Sequence, residues 1–259
     1  MEDFKILKYP RTPHLQGSNL QEGDEDLSRI PFSEIFNKNI VIEEKVDGAN
    51  SAISFNEEGK LLLQSRGRYL TGGFKERHYN LLKTWANQNI TALYNALGSR
   101  YIMYGEWMYA KHAVFYDALP AYFLEFDIYD RQNQVFLDTQ NRRKITCGLG
   151  VYSVPVLAQG VFKNKEQILK LITNSNYITK NNKGNLIATV NGLGLNEEEI
   201  LSQTNLDGIM EGLYIKVEED GVVKNRVKFV RSAFKQSLKE SDKGWHQRPI
   251  IPNLLAKKD

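Results

Sequence analysis

The sequence predicts an α+β fold centred on antiparallel sheets with flanking helices, and three observations carry that expectation. Short runs of apolar, β-branched and aromatic residues recur along the chain, several of them paired across Gly-containing polar turns as in hairpins. Helical spacing is confined to a few stretches, of which 81–97 is the clearest. No internal repeat and no linker separates two cores, so residues 1–259 read as a single domain, with 1–36 as an N-terminal segment and 232–259 as a short tail.

Composition bounds the class of protein. Hydrophobic residues make up 41% and charged residues 25% of the 259, an ordinary globular balance that argues against wholesale disorder. The net charge of +3 is small, so any preference for nucleic acid must reside in local patches. The one cysteine, Cys147, excludes an internal disulfide framework and a cysteine-rich zinc site, and suits a reducing, intracellular setting such as the cytoplasm. The start, MEDFKILKYP, lacks the apolar stretch of a secretory signal, and no apolar run approaches the ~20 residues of a membrane helix.

The N-terminal segment is rich in Pro, Gly and polar residues and reads as an ordered surface wrap with short strands. Its Arg11, His14 and Ser18 could also reach a ligand. Residues 28–36 read as a short helix or turn. An apolar run, Ile40 to Ile42, then delivers Glu43, Glu44 and Lys45, followed by Asp47, Gly48 and Asn50. A strand that leaves the core there places Lys45 where buried sheet meets an open cleft. Desolvation disfavours the charged form of a lysine and makes it a candidate nucleophile. The same residues also fit a surface lysine before an ordinary Asp-Gly hairpin turn.

Residues 51–70 contain two strands joined by the turn Asn56 to Gly59, the second ending in Ser65, Arg66, Gly67 and Arg68. Guanidinium groups present fixed, bidentate donors, so this pair suits phosphate oxygens or a solvated hairpin end. Residues 81–97 read as one amphipathic helix packed on the sheet. The alternating apolar run within 100–112 reads as a buried strand with Glu106 after Gly105 at its end, among Tyr104, Trp107 and Met108, where an acid must accept hydrogen bonds or meet a cation unless it lies at an exposed edge. Another strand spans 122–129 and alternates Phe123, Glu125 and Asp127 against Tyr122, Leu124 and Phe126, an aromatic residue that can stack on a base or fill the core.

The basic run Arg142 to Lys144 is expected to open a helix, 151–161 to form a strand and 164–174 a short helix. The Asn- and Lys-rich 173–185 reads as a mobile loop or a solvated connection. Residues 195–204 begin a helix whose first turn holds three glutamates, favourable at the positive end of its dipole. Two strands about a Glu-Glu-Asp-Gly turn follow: the first carries Lys216 after Glu211, and the second alternates Lys224, Arg226 and Lys228 against Val223, Val227 and Phe229. A basic strand face near Glu211 makes sense if something anionic lies between them. The tail, with its Trp245 and His246, is too short for another globular domain.

Taken together, KVDGAN (Lys45 to Asn50), SRGR (Ser65 to Arg68), YGEW (Tyr104 to Trp107), FLEFDIYD (Phe123 to Asp130), DGIMEGLYIK (Asp207 to Lys216) and RVKFVR (Arg226 to Arg231) resemble, in order and spacing, the motifs of the covalent nucleotidyltransferase superfamily. Within it the chain is most similar to the ATP-dependent RNA ligases of the phage RNA-repair type. The resemblance covers about 41–231. It implies a nucleotidyltransferase (ATP-grasp-like) adenylation domain that forms lysyl-AMP from ATP, passes the adenylate to a 5′-phosphate RNA end, and seals that end to a 3′-hydroxyl. On this resemblance Lys45 is the nucleophile, and Glu44, Asp47 and Asn50 lie by the nucleotide. Arg66 holds ribose or phosphate, Glu106 the ribose hydroxyl, and Phe126 stacks on adenine. Glu211, with Asp47, places Mg2+ or Mn2+, while Lys216, Arg226 and Lys228 face the α-phosphate.

Displacement at phosphorus needs positioned positive charge more than proton chemistry, which lysines and a hard, oxygen-loving metal supply. Burial together with Lys216 and Lys228 is expected to lower the pKa of Lys45. Where relatives often carry two lysines in the last motif, this chain has Arg226 and Lys228. Many relatives also carry an extra nucleic-acid-binding domain, which is not expected here; the substrate, such as a nicked duplex, is left to a basic groove or an accessory protein. A DNA ligase, a capping guanylyltransferase and an RNA-binding relative without catalysis are the alternative readings. A viral source would place the protein in the host cytoplasm.

Overall fold

The computed structural model describes residues 6–20, 23–234 and 249–257. Two sheets dominate them. The first runs from edge to edge through β10 (Val156–Val161), β3 (Asn39–Lys45), β11 (Gly212–Glu219), β12 (Val222–Val230), β1 (His14–Leu15) and β2 (Arg29–Ile30). Its four long strands pair antiparallel, and β1 and β2 add in parallel. The second sheet runs through β5 (Leu61–Ser65), β4 (Ala49–Phe55), β6 (Tyr101–Trp107), β7 (Phe123–Asp130) and β8 (Val135–Phe136), with β9 (Tyr152–Ser153) parallel to β7. This is the α+β arrangement of antiparallel sheets that the strand and turn pattern predicts.

Alternation decides which face each strand buries. On β4, Ile53 and Phe55 pack with Met103 and Ile128 against the helices α1 (Asn80–Gln88) and α2 (Ile90–Leu97), through Leu82, Ala86, Leu93 and Leu97. Ala52 points the other way, into a layer with Tyr9, Tyr104 and Phe136 that Phe126 and Tyr214 border. On β3, Ile40 and Ile42 join Leu213, Ile215, Val227 and Phe229 on the outer face of the first sheet. Glu43 shares the inner face with Lys45. The two inner faces clasp the site.

Several expectations are corrected. The helix read over 81–97 breaks at Asn89 (φ −106°, ψ 14°), whose backbone and side-chain N–H groups both reach the Trp85 carbonyl. The strand read over 151–161 splits at Val154 and Pro155, so that β9 joins one sheet and β10 the other; proline cannot donate to a ladder. The run Arg142 to Lys144 lies within α3 (Thr139–Thr146), which Asp138 caps by accepting from the Asn141 N–H, instead of opening that helix.

The 173–185 stretch is built structure. Asp117 accepts from the Thr179 backbone, the Thr179 hydroxyl and Asn185, and α5 (Asn182–Gly192) begins within the stretch. The first turn of α6 (Glu197–Ser202) does hold three glutamates, with Asn196 as cap. On β12 the ladder skips Lys224, so this bulge puts Val223 in the same cluster as Tyr9 and Phe136 and leaves Lys224 exposed beside Asp220. The strict alternation of three basic residues therefore holds only for Arg226 and Lys228. In the tail, Asn253 is fully buried, donating to the Met108 carbonyl and accepting from the Tyr116 N–H. Trp245 and His246 lie outside the described residues.

Candidate active site

Val46, Asp47 and Gly48 are not a hairpin turn: β3 belongs to the first sheet and β4 to the second, and these residues carry the chain between them. Gly48 is required by close approach, because a Cβ there would lie 2.8 Å from both the Met108 sulfur and the Trp107 carbonyl oxygen. Lys45 is thus the last residue of one sheet, and Asn50 lies at the start of the other, directly opposite Glu106 on β6. Gly212 pairs with Lys45 across β11; a Cβ there would sit 1.8 Å from the Phe229 carbonyl oxygen, which no side chain can satisfy.

The junction opens into a cavity of about 540 Å³. Of the residues singled out in the sequence, it brings together Lys45, Asp47, Asn50, Arg66, Glu106, Phe126, Glu211 and Lys228. Tyr9, Thr12, Tyr79, His112 and Tyr214 complete much of the wall, and sequence reasoning missed them. Tyr9 could have been suspected only from the N-terminal segment's being read as a wrap. The amine of Lys45 lies 2.7 Å from Glu211, itself almost fully buried.

Three predicted residues sit otherwise than expected. Lys216 is fully buried and does not reach the cavity wall: it pairs with Glu43 at 2.8 Å and Asp127 at 3.0 Å. Arg226 likewise lies behind the wall, over the Phe136 ring at 3.7 Å and 3.5 Å from Asp127. Glu44 borders the cavity, yet its carboxylate accepts from the Ser175 hydroxyl and from the backbone and side chain of Asn176. Asp47 is half committed too, since one oxygen takes the Ala113 and Val114 N–H groups; the other lies 4.0 Å from His112.

Phe126 is re-aimed by a bulge. The β6–β7 ladder passes from the Tyr104–Asp127 pair to the Gly105–Glu125 pair, leaving Phe126 without a partner and its ring on the cavity wall. Its displaced carbonyl accepts instead from Arg142 and from Lys216. Arg142 also pairs with Glu43 at 2.5 Å and Glu125 at 2.8 Å, with all three nearly or fully buried. A network of Glu43, Glu125, Asp127, Arg142 and Lys216 thus underlies the aromatic wall and ties both sheets. Burial opposes ionisation of Asp127, but Lys216, Arg142 and Arg226 hold its carboxyl below the usual range.

Electrostatics around the amine differ from the expected lowering. Burial does pull the Lys45 pKa down, but Glu211, with Glu106 and Asp47 behind it, outweighs this and holds it above the usual lysine range. The expected cations are badly placed to compete, since Lys216 is neutralised by Glu43 and Asp127, and Lys228 is paired with Asp24. Burial pushes Glu106 up to about 8, Lys45 opposing and Glu211 and Asp47 adding, while one carboxyl oxygen takes the Gly48 N–H. Burial and the cations Lys111 and Lys45 push His112 down to about 4. On the far wall Asp24 bridges Lys228 and His14, and His14 is fully buried against Ser18. His14, Ser18 and Arg11 therefore serve a structural link to Lys228, and Arg11 is held by Asp24 and Asp26.

Two largely antiparallel sheets clasp a cavity, with an amine at their junction and carboxylates around it, and the fold is that of a nucleotidyltransferase-type RNA ligase. The chain belongs to the RNA ligase family, whose model matches residues 38–234. Among solved structures it is similar to a Naegleria gruberi RNA ligase mutant with ATP and Mn, at TM-score 0.51 and 18% identity over 78% of this chain and 52% of that one. A second mutant of that ligase, with AMP and Mn, gives TM-score 0.50 at the same identity and coverage. At such identity the likeness is one of fold, and this chain spans about half the length of that relative. No curated protein matches the sequence. Among the described residues, no helix is long and apolar enough to cross a membrane.

Proposed function

We propose that this protein is an ATP-dependent RNA ligase that joins 5′-phosphate and 3′-hydroxyl RNA ends. The observation that carries the proposal is the position of Lys45, a lysine 21% exposed at the mouth of a carboxylate-lined, aromatic-walled cavity in a chain of the RNA ligase family. In the first step its neutral nitrogen attacks the α-phosphorus of ATP; the N–P bond forms, the bond to the β-phosphate oxygen breaks, and pyrophosphate leaves. The RNA 5′-phosphate oxygen then attacks the same phosphorus and releases lysine. Finally the 3′-hydroxyl attacks the 5′-phosphate, with AMP as leaving group and loss of the hydroxyl proton.

The chain's own residues supply recognition. Phe126, Tyr9 and Tyr214 offer an aromatic wall to a base. Arg66 and Lys228 offer positive charge to phosphates, and Asn50 and Glu106 offer hydrogen bonds to a ribose. The carboxylates fit a divalent metal: Glu211 and Asp47 are hard oxygen donors, and their mutual repulsion with Glu106 signals excess negative charge. Among the described residues no three such groups converge as a complete metal cage, so a bound Mg2+ or Mn2+ would fill its shell with phosphate oxygens and water. It would supply charge neutralisation at the phosphate.

The test is incubation with α-labelled ATP and Mg2+. Label retained covalently by the protein and abolished by Lys45→Ala is expected; absence of label, or label that survives the substitution, overturns the mechanism. A panel of nicked duplexes with RNA or DNA on either side, plus single-stranded RNA, then assigns the substrate. Preference for RNA at the 3′-hydroxyl side is expected, and indifference there rejects an RNA ligase in favour of a DNA ligase.

A further inference from the structure

The segment from Arg66 to His78 starts and ends at the cavity, since Ser65, Arg66 and Tyr79 all line it. Between those ends lie Arg68, Phe74, Lys75 and Arg77, and the segment holds one acid, Glu76. That acid is turned inward and buried, where it accepts from the Thr71 and Gly72 N–H groups and pairs with Lys83 at 2.6 Å. The foot of the segment is fixed as well, because the His78 carbonyl accepts from the Trp107 indole at 2.7 Å. What faces solvent is one sign of charge.

Phe74 is the unexplained group. The residue is 66% exposed, the highest of the large exposed hydrophobics among the described residues, with the Arg77 guanidinium over its ring at 4.4 Å. Gly72 and Gly73, both at positive φ, carry the chain out to it, and a Cβ at either would meet nothing within 4 Å. A loop fixed at its foot therefore holds an aromatic face and the exposed cations Arg68 and Lys75, with the half-buried Arg77 against the ring, beside a cavity that must admit a nucleic-acid end. Exposed rings interleaved with cations are the recurring means of holding single strands, through stacking and phosphate contacts.

We propose that this segment is the docking surface for the RNA strand being joined: a base stacks on Phe74, phosphates sit on Arg68, Lys75 and Arg77, and the end passes Arg66 into the cavity. This rests on the reading of the protein as an RNA ligase. None of Phe74, Lys75 and Arg77, the residues varied below, has been placed in nucleotide chemistry, which allows a clean test.

The test compares the wild-type chain with Phe74→Ala, Phe74→Trp and the double variant Lys75→Ala/Arg77→Ala. Two readouts are taken: self-adenylylation with labelled ATP and no RNA, and direct titration of a fluorescent single-stranded RNA at several salt concentrations. Self-adenylylation within about twofold of wild type is expected for all three. RNA affinity should fall about tenfold in Phe74→Ala and persist in Phe74→Trp. In the double variant the slope of log affinity against log salt should shrink by about 1.4, for two lost phosphate contacts. Unchanged RNA affinity and slope overturn the inference, as does parallel loss of both readouts, which would mark the segment as merely structural. Failure of wild-type self-adenylylation would instead defeat the ligase reading, while the RNA titration still decides the docking surface.

Discussion

Lys45 and Glu211 meet at the end of the β3–β11 ladder, one residue beyond the Lys45–Gly212 pair, with amine and carboxylate 2.7 Å apart, so the proposed nucleophile is held in its charged form. An ammonium has no lone pair for phosphorus. Self-adenylylation should therefore rise with pH as Lys45 loses its proton. Glu211→Gln removes the strongest group raising that pKa, so the midpoint of the rate–pH profile should move to lower pH, whatever happens to the maximal rate. Single-turnover labelling carried from pH 7 to about pH 11.5, past the ordinary lysine value of about 10.4, checks this; a profile unmoved by the substitution rejects the pairing as the controlling contact.

Glu106 gives a prediction about stability. Its folded pKa of about 8 lies above the ordinary carboxylate value, so the folded chain binds a proton that the unfolded chain has released. Stability from this group is full below about pH 4.5 and declines as pH rises to about 8. Glu106→Gln keeps the shape without the titration. Thermal melts should show the variant gaining on wild type between pH 5 and pH 8.5, by an amount on the order of a few kcal/mol. A constant difference across that range refutes it.

Asp24 has the opposite sign. Burial raises its pKa, but Lys228, His14 and Arg11 bring it down to about 2, below its unfolded value. Its contribution is present above about pH 4 and vanishes as pH falls towards 2. Asp24→Asn should be less stable than wild type at neutral pH, with the gap closing in acid. Equal sensitivity of both proteins between pH 4 and pH 2, followed by denaturant melts, contradicts the assignment.

Lys216 should act on the fold. Lys216→Met strips a partner from both Glu43 and Asp127 and leaves buried charge poorly compensated, a loss of about 3–5 kcal/mol in urea unfolding. A variant that unfolds like wild type but no longer self-adenylylates would show Lys216 acting directly on the nucleotide.

Much of this was legible in the sequence because the chemistry-bearing residues sit at strand ends, where local pattern is strong. The run Ile40 to Ile42 marks β3, and the acid after Gly105 marks the end of β6. Illegible were the consequences of pairing. Nothing local reports that β3 and β4 enter different sheets, that a bulge turns Phe126 outward, or that Lys216 faces Asp127 across the inter-sheet layer. The motif resemblance placed Lys216 and Arg226 at phosphate, yet both lie behind the wall. The loop at 173–185 was misread for the same reason: its Asn-rich composition describes solvation, whereas Ser175 and Asn176 are spent on the buried Glu44. The pKa of Lys45 could not be read from the cations in sequence, because each is matched by an acid contributed from elsewhere.

The three-residue passage from Lys45 to Ala49 sets the proposed nucleophile on one sheet and Phe126, Asn50 and Glu106 on the other. Apart from that tether, the pairs from Lys216 to Asp127 and from Arg142 to both Glu43 and Glu125 fix the spacing of the two sheets beneath the cavity. In the proposed reaction, attack geometry at phosphorus would depend on a gauge made of buried ions. Apolar side chains of equal bulk in their place would fill the layer and leave the gap between amine and nucleotide free to drift.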